Sequence, residues 1–270
     1  FKASERSTIN GLNAVAFNIG TAVILWFMAD INRLSGNWKT SLMLFSLASL
    51  LLCIAWLFVR YKKSGTEEIS ETITEQYYSY ADGLKDKFNW AYALSYSGLL
   101  AFYICLFTFY PKAGISQSKW VIGAGILGTV VGIIYSKKIL QRIPVIRYSG
   151  AVIIITIIGL SFATLPWLQT LCAIVLGFFI FFPITALVTI PHELPGMNGQ
   201  RITVIFSLFY SISYLLATLV LWLFGKLVDI NQGDFSASFL LITIVSSTFF
   251  IGSFFLPETN KQEDKLLCEA

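Results

Sequence analysis

Residues 167–190 read WLQTLCAIVLGFFIFFPITALVTI, an apolar run without a charged side chain. A helix needs roughly 20 apolar residues to cross the hydrocarbon core of a bilayer. Within lipid, each backbone N–H and C=O must find its partner inside the segment, so such a run is expected to form a helix. Similar runs recur along the chain, and we place eight spans at residues 9–29, 40–59, 90–110, 120–137, 148–165, 167–190, 202–225 and 237–256. The sequence therefore predicts an all-α membrane protein.

The composition agrees with this prediction and disfavours several classes of function. Hydrophobic residues make up 56% of the chain and charged residues 13%, and the mean hydropathy is +0.72. A soluble domain carries about 25% charged residues. The four cysteines lie far apart without a CxxC or Cys–His pair, so neither a disulfide framework nor a zinc site is predicted. With one histidine and no carboxylate pair at membrane depth, the sequence predicts no enzyme, metal site or cofactor.

The distribution of basic residues predicts the orientation. If both termini and the long polar connection 60–89 share one side, that side holds 14 of the 19 Lys and Arg residues. Basic residues concentrate in cytoplasmic loops. We therefore expect a multi-pass protein of the plasma membrane with both termini in the cytoplasm. The many Ile, Phe, Lys and Asn residues are consistent with a low-GC bacterium, so we expect this membrane to be the bacterial inner membrane. This arrangement explains the net charge of +4 without nucleic acid as a partner.

An internal repeat relates the first and seventh spans. Arg6 precedes an apolar helix that ends at Asp30-Ile31-Asn32, and Arg201 precedes one that ends at Asp229-Ile230-Asn231. Two repeats in the same orientation are typical of a transporter built from two halves. Six spans follow the loop 60–89 and two precede it, so we expect about four further spans before Phe1.

The motifs around this repeat resemble those of the major facilitator superfamily of transporters. They are Glu5, Arg6, Asn18, Gly20, Gly36, Trp38 and Lys39 around the first span, the basic loop 136–144, and the ending Leu256-Pro257-Glu258-Thr259. The resemblance implies a helical bundle of twelve spans, of which this chain holds the fifth to the twelfth. The stretches 182–187 and 211–217 resemble the cyanate and nitroimidazole-type branch of that superfamily.

The same resemblance implies a division of the chain into four parts. Residues 1–59 would end the N-terminal half with two spans, and residues 60–89 would form the central cytoplasmic loop. Residues 90–257 would form the six-helix C-terminal half, and residues 258–270 a cytoplasmic tail.

Polar side chains within the apolar helices are the candidates for contact with a solute. Amides and hydroxyls in a membrane helix face protein or water rather than lipid. Each therefore has two interpretations, a hydrogen bond between helices or the lining of a cavity. The candidates for the cavity are Asn13, Asn18, Tyr103, Thr185, Tyr210, Ser211 and Tyr214.

Three local features of the sequence predict further details of the structure. Gly128 and Gly132 lie four residues apart in the fourth span, which predicts close packing against another helix. Pro183 predicts a bend within the sixth span. His192-Glu193 lies in a proline-rich stretch and is expected in a solvated loop.

The predicted function is secondary-active or facilitative transport of a small solute by alternating access. A small anion and a nitroaromatic or drug-like compound are both open as substrates. No charged residue lies well inside a span, so a coupling proton would need residues outside this chain. The alternatives are a non-transporting membrane protein with the same fold, such as a receptor-like or assembly subunit, and an inactive truncated transporter.

Overall fold

The computed structural model describes residues 3–58, 78–139 and 141–259, without the side chains of residues 3–11, 13, 14, 17, 18 and 25. The described residues form helices and no strand, which confirms the all-α prediction. In chain order the helices are α1 (Ala3–Leu34), α2 (Trp38–Leu57), α3 (Tyr80–Lys85), α4 (Lys87–Thr108), α5 (Ser118–Lys138), α6 (Ile143–Phe162), α7 (Pro166–Phe181), α8 (Ile184–Glu193), α9 (Gly199–Ile230), α10 (Ser236–Ser246) and α11 (Thr248–Gly252).

Six helical segments in the described ranges are long and apolar enough to cross a membrane. They are Trp38–Leu57, Lys87–Thr108, Ser118–Lys138, Ile143–Phe162, Pro166–Glu193 and Gly199–Ile230. Each coincides with a predicted span to within a few residues. The first predicted span lies within α1, and the last forms the shorter apolar pair α10 and α11.

Backbone contacts divide the chain into two compact units. Unit 1 contains residues 1–22 and 78–270, and unit 2 contains residues 23–77. One boundary falls inside α1, between residues 22 and 23, and the other falls within the loop 60–89, between residues 77 and 78. The four-part division that the sequence suggested stays a prediction, since the loop residues 59–77 lie outside the described ranges.

Unit 2 contains α2 and the turn that precedes it. The Asn37 side chain accepts a hydrogen bond from the Thr40 N–H at 2.9 Å and caps the helix, and the Ser35 and Ser41 hydroxyls lie 2.6 Å apart. Gly36 has a φ of +85°, which a residue with a side chain rarely adopts. Ser41 is the buried residue of α2, and the apolar side chains that follow it are exposed except for Phe45, which is partly buried.

In unit 1, α4 occupies a central position. It packs against α9 along most of its length and also contacts α10 and α11, while α7 packs between α5 and α6. The buried residues of these helices form one continuous apolar core. The faces of α4 and α9 are therefore fixed relative to each other by packing.

Two of the spans are interrupted. α7 ends at Phe181 and α8 begins at Ile184, so the helix is interrupted at Pro183, the position where the sequence predicts a bend. The second interruption, between α10 and α11 at Ser247, was not predicted. There the Ser247 hydroxyl donates to the Ile244 carbonyl at 2.6 Å, and Gly98 of α4 lies directly against the Val245 carbonyl.

Glycines bring the backbones of α5 and α7 into direct contact. A Cβ atom added to Gly128 would collide with the Phe178 carbonyl oxygen, and one added to Gly132 with that of Phe182. From the other side, a Cβ atom on Gly177 would collide with the Val121 carbonyl oxygen. Small residues permit this approach because lipid tails are as apolar as leucine and close packing supplies much of the attraction between helices.

We expect Gly128→Ala to lower the free energy of unfolding by about 1–3 kcal/mol, because the added methyl group forces α5 and α7 apart. Thermal unfolding of the purified protein in detergent measures the change. Gly225→Ala is the matched control, since the nearest atom to a Cβ there is Phe109 Cζ at an ordinary 3.8 Å. Equal melting temperatures for the two variants would contradict the proposed backbone contact.

Candidate functional site

Four tyrosines of α4 and α9 lie close together on the packed pair of helices. Tyr96 and Tyr103 are two turns apart on α4, and Tyr210 and Tyr214 are one turn apart on α9. The Tyr96 hydroxyl lies near those of the three others, and the Tyr103 hydroxyl lies near that of Tyr214. We call these four residues the tyrosine cluster. It brings several phenol hydroxyls and aromatic faces to one place within the span.

Aromatic packing holds one side of the tyrosine cluster. The Phe209 ring stacks on Tyr92 and on Tyr96, with centroid separations of 4.4 Å and 5.0 Å. Tyr92 is fully buried, and its hydroxyl donates to the Leu187 carbonyl at 3.0 Å, which ties α4 to α8. Phe209, which is itself packed on Tyr92, therefore limits the rotation of the Tyr96 ring.

Tyr103 occupies the opposite side of the cluster. Its ring meets Phe107 and Phe181 edge to face, with centroids 5.0 Å and 5.7 Å away. Its hydroxyl lies beside the Thr21 side chain. Such edge-to-face pairs orient a ring in addition to burying it. The Tyr103 hydroxyl is thus held at a fixed position within a rigid aromatic surround, and it is itself buried.

The part of the cluster on α9 faces away from the packed core of unit 1. Tyr210 and Tyr214 are 46% and 50% exposed, whereas their neighbours Phe209 and Ile212 are buried. On the buried side, the Ser213 hydroxyl donates to the Ala93 carbonyl at 3.1 Å and joins α9 to α4. A polar, aromatic face on a membrane helix is expected to meet protein or water rather than lipid tails.

The structure brings together three of the seven predicted cavity residues, Tyr103, Tyr210 and Tyr214. Ser211 is exposed next to Tyr210. Thr185 is only 1% exposed, and its carbonyl accepts the Thr189 hydroxyl at 2.7 Å, so it lies in the interior of the helix packing. The side chains of Asn13 and Asn18 lie outside the described part of the chain.

Two further tyrosines follow the spacing of Tyr103, and one of them belongs to the cluster while the other does not. Tyr96 was not among the predicted site residues, although its spacing of seven residues from Tyr103 was a usable signal. Tyr110 continues the same spacing, but it is fully buried and its hydroxyl lies 2.6 Å from that of Ser161. Spacing alone does not distinguish a residue of the cluster from one that joins α4 to α6.

Charged groups of unit 1 gather at the end where α4, α6 and α9 begin, which we call the basic end. Arg142 is 3% exposed and donates to both oxygens of Glu193, at 2.7 Å and 3.2 Å, and to the Ser136 carbonyl at 2.9 Å. The Glu258 carboxylate accepts the backbone N–H groups of Arg142 and Ile143 at 2.8 Å and 2.9 Å. These bonds join α5, α6, α8 and the segment after α11.

The solvated loop expected at His192-Glu193 is therefore a wrong prediction. Both residues belong to α8, and Glu193 is half-buried because it pairs with Arg142. The His192 ring lies 5.5 Å from that of Phe206. The partners are separated by about fifty residues in the chain, so a local pattern of residues could not reveal them.

Comparison with known proteins decides the family. Residues 1–218 match the family model described as the Major Facilitator Superfamily. The chain belongs to this superfamily. The match agrees with the resemblance seen in the sequence motifs, and it does not distinguish branches of the superfamily.

One relative is a protein of Campylobacter jejuni that is described as uncharacterised. It is 31% identical to this chain over 102 residues. The match covers 36% of this chain and 30% of that protein, so the chain spans less than a third of its relative's length in this comparison.

We predict that a double-mutant cycle with Arg142→Gln and Glu193→Gln gives a coupling energy of about 1–3 kcal/mol in thermal stability. The pair is bidentate and largely withdrawn from water, so loss of one partner leaves a charge without its hydrogen bonds. The matched control is the pair Asp30 and Arg33, which is 3.9 Å apart and mostly exposed. Its coupling should stay below about 0.5 kcal/mol. Equal coupling for both pairs would contradict the prediction.

Proposed function

We propose that this chain forms part of a membrane transporter that moves a small solute by alternating access. Two findings support the proposal: membership of the superfamily, whose members are transporters, and six helical segments able to cross a membrane. In transporters of this kind, helical bundles rock about a site near the bilayer midplane. The tyrosine cluster is this chain's contribution to that site, and it is the observation that carries the proposal.

The chemistry of the cluster favours a neutral aromatic solute over a small anion. Residues 88–110 and 202–225, which include all four tyrosines, contain no Asp, Glu, Lys or Arg. An anion desolvated there would lack a positive partner, which is costly at low dielectric. Phenol rings offer faces for stacking, and phenol hydroxyls donate to neutral acceptors such as nitro oxygens. A nitroaromatic or drug-like compound can both stack on the rings and accept hydrogen bonds from the hydroxyls.

The absence of charge in these stretches also bears on coupling and orientation. Acidic residues within spans commonly serve as proton relays. A coupling proton would therefore use groups outside these helices. The basic end would face the cytoplasm of a bacterial cell, in line with the usual concentration of basic residues on that side.

We expect Tyr103→Phe and Tyr214→Phe to weaken the binding of 2-nitroimidazole by roughly 2- to 12-fold each, because one hydroxyl hydrogen bond contributes about 0.5–1.5 kcal/mol. Both variants keep the aromatic ring, so stacking is retained. The measurement uses the complete gene product in proteoliposomes, with radiolabelled 2-nitroimidazole for equilibrium binding and for uptake.

Tyr110→Phe provides the matched control. It removes a phenol hydroxyl from the same helix, but that hydroxyl is bound to Ser161 within the core. The control should lose thermal stability without losing affinity. Cyanate uptake that is unaffected by either cluster variant, together with no binding of 2-nitroimidazole, would overturn the proposed class of solute. The absence of flux for every solute, with a protein partner that co-purifies, would overturn transport itself.

A further inference from the structure

A short helix at the basic end is fixed rigidly to the ends of two spans. Gly83 of α3 lies against α9, where a Cβ atom would meet Leu208 Cδ1 at 2.7 Å and Val204 Cγ1 at 2.8 Å. The Asn89 side chain donates to the Gly83 carbonyl at 2.8 Å, which joins α3 to α4. Asp86 ends α3 and caps α4 through the Phe88 N–H at 3.0 Å. The helix therefore lies where the apolar stretches of α4 and α9 begin.

The outer side of this region is apolar and aromatic. Tyr80, Leu84 and Trp90 are 57%, 47% and 42% exposed. The Trp90 indole N–H donates to the Leu84 carbonyl at 2.8 Å, so its polar atom is satisfied within the protein and the ring is what remains outside. Tyr and Trp side chains in such positions are typical of the boundary between water and lipid tails.

Two exposed lysines flank these rings, and the neighbouring carboxylates are already engaged. Asp82 accepts the Ser79 hydroxyl at 2.6 Å and the Ser79 N–H at 3.1 Å, and these bonds lower the pKa of Asp82. Asp86 accepts the Tyr78 hydroxyl at 3.3 Å and Arg201 at 3.5 Å. Within the described ranges, neither Lys85 nor Lys87 forms an ion pair.

Tyr78 and Arg201 form a further fixed contact next to this surface. The Arg201 guanidinium lies over the Tyr78 ring, 5.0 Å from its centroid, and Asn89 donates to the Tyr78 hydroxyl at 3.3 Å. Burial raises the pKa of Tyr78, so this phenol stays neutral. The surface formed by Tyr80, Leu84, Lys85, Lys87 and Trp90 thus combines a rigid base, an apolar patch and two exposed lysine side chains. We call it the α3 surface.

We propose that the α3 surface binds the headgroup of an anionic phospholipid. The lysine ammonium groups contact the lipid phosphate, and Tyr80, Leu84 and Trp90 lie among the glycerol and upper acyl groups. The charge complementarity selects an anionic lipid over a zwitterionic one, since each basic residue near an anionic membrane surface contributes favourably. The apolar ring faces select a bilayer over a soluble phosphate compound, which would leave them in water.

The test uses nanodiscs of phosphatidylcholine in which one third of the lipid is phosphatidylglycerol, with bromine on the acyl chains of one lipid at a time. The quenching of tryptophan fluorescence in the unmodified chain, minus that in Trp90→Phe, isolates the contribution of Trp90. We expect brominated phosphatidylglycerol to quench Trp90 more strongly than brominated phosphatidylcholine at equal mole fraction. The preference should fall by about fivefold for each lysine removed in Lys85→Gln and Lys87→Gln.

Matched variants separate this site from general attraction between charges and the membrane. The double variant Lys112→Gln, Lys119→Gln removes two exposed lysines, one in the connection between α4 and α5 and one in the first turn of α5, at the end of the helices opposite to the basic end. It should leave the preference unchanged. Lys85→Arg combined with Lys87→Arg keeps the charge and should retain the preference. High salt should reduce the preference, because screening shortens the range of the attraction.

Three outcomes would overturn the proposal. Equal quenching of Trp90 by the two brominated lipids would mean that the surface does not select anionic headgroups. An absence of quenching by either lipid would mean that protein covers the surface. An equal loss of preference in the Lys112 and Lys119 variant would mean that the effect is not local. None of these measurements depends on transport, so the proposal is tested independently of the proposed function.

Discussion

Direct backbone contact between membrane helices is the constraint on which the rest of this structure depends. Helices in lipid gain little from burying apolar side chains against each other, because the lipid tails offer an equally apolar environment. Gly128, Gly132 and Gly177 remove the side chains that would separate α5 from α7, and Gly98 does the same between α4 and the break at Ser247. With these contacts in place, α7 lies between α5 and α6, and α4 lies beside α9. The relative position of the α4 and α9 faces, and therefore the tyrosine cluster, follows from this packing.

The hydroxyl groups of unit 1 divide into two populations with different consequences. Some reach another helix and fix its position, such as Tyr92 on the Leu187 carbonyl, Ser213 on the Ala93 carbonyl and Tyr110 on Ser161. Others, including those of Tyr210 and Tyr214, belong to side chains that are about half exposed. Hydroxyls of the first kind contribute to stability, because a buried donor without its acceptor is costly. Tyr210 and Tyr214, the part of the tyrosine cluster on α9, are of the second kind and are available to a ligand.

The charged residues of unit 1 lie at the ends of the helices, away from the apolar stretches. Arg142, Glu193 and Glu258 meet at the basic end, where they join segments that are distant in sequence. The α3 surface lies at the same end and presents lysines that have no ion-pair partner in the described ranges. One set of charges therefore holds protein segments together, and the other is available to the membrane surface. In the proposed transporter, both would support a half that moves as one body around the solute.

The sequence by itself determined the class of fold, the approximate spans, the interruption at Pro183 and the superfamily, because these depend on the length and apolar character of local segments and on short motifs. It also identified Gly128 and Gly132 from their spacing. Tertiary structure decided which tyrosines share a site, since Tyr103 and Tyr110 follow one sequence period, but Tyr103 lies near Tyr214 of α9 whereas Tyr110 is buried against Ser161 of α6. It also decided that Glu193 pairs with Arg142 and that the last span breaks at Ser247. These features depend on contacts between residues far apart in the chain, and no local pattern of residue types specifies such contacts.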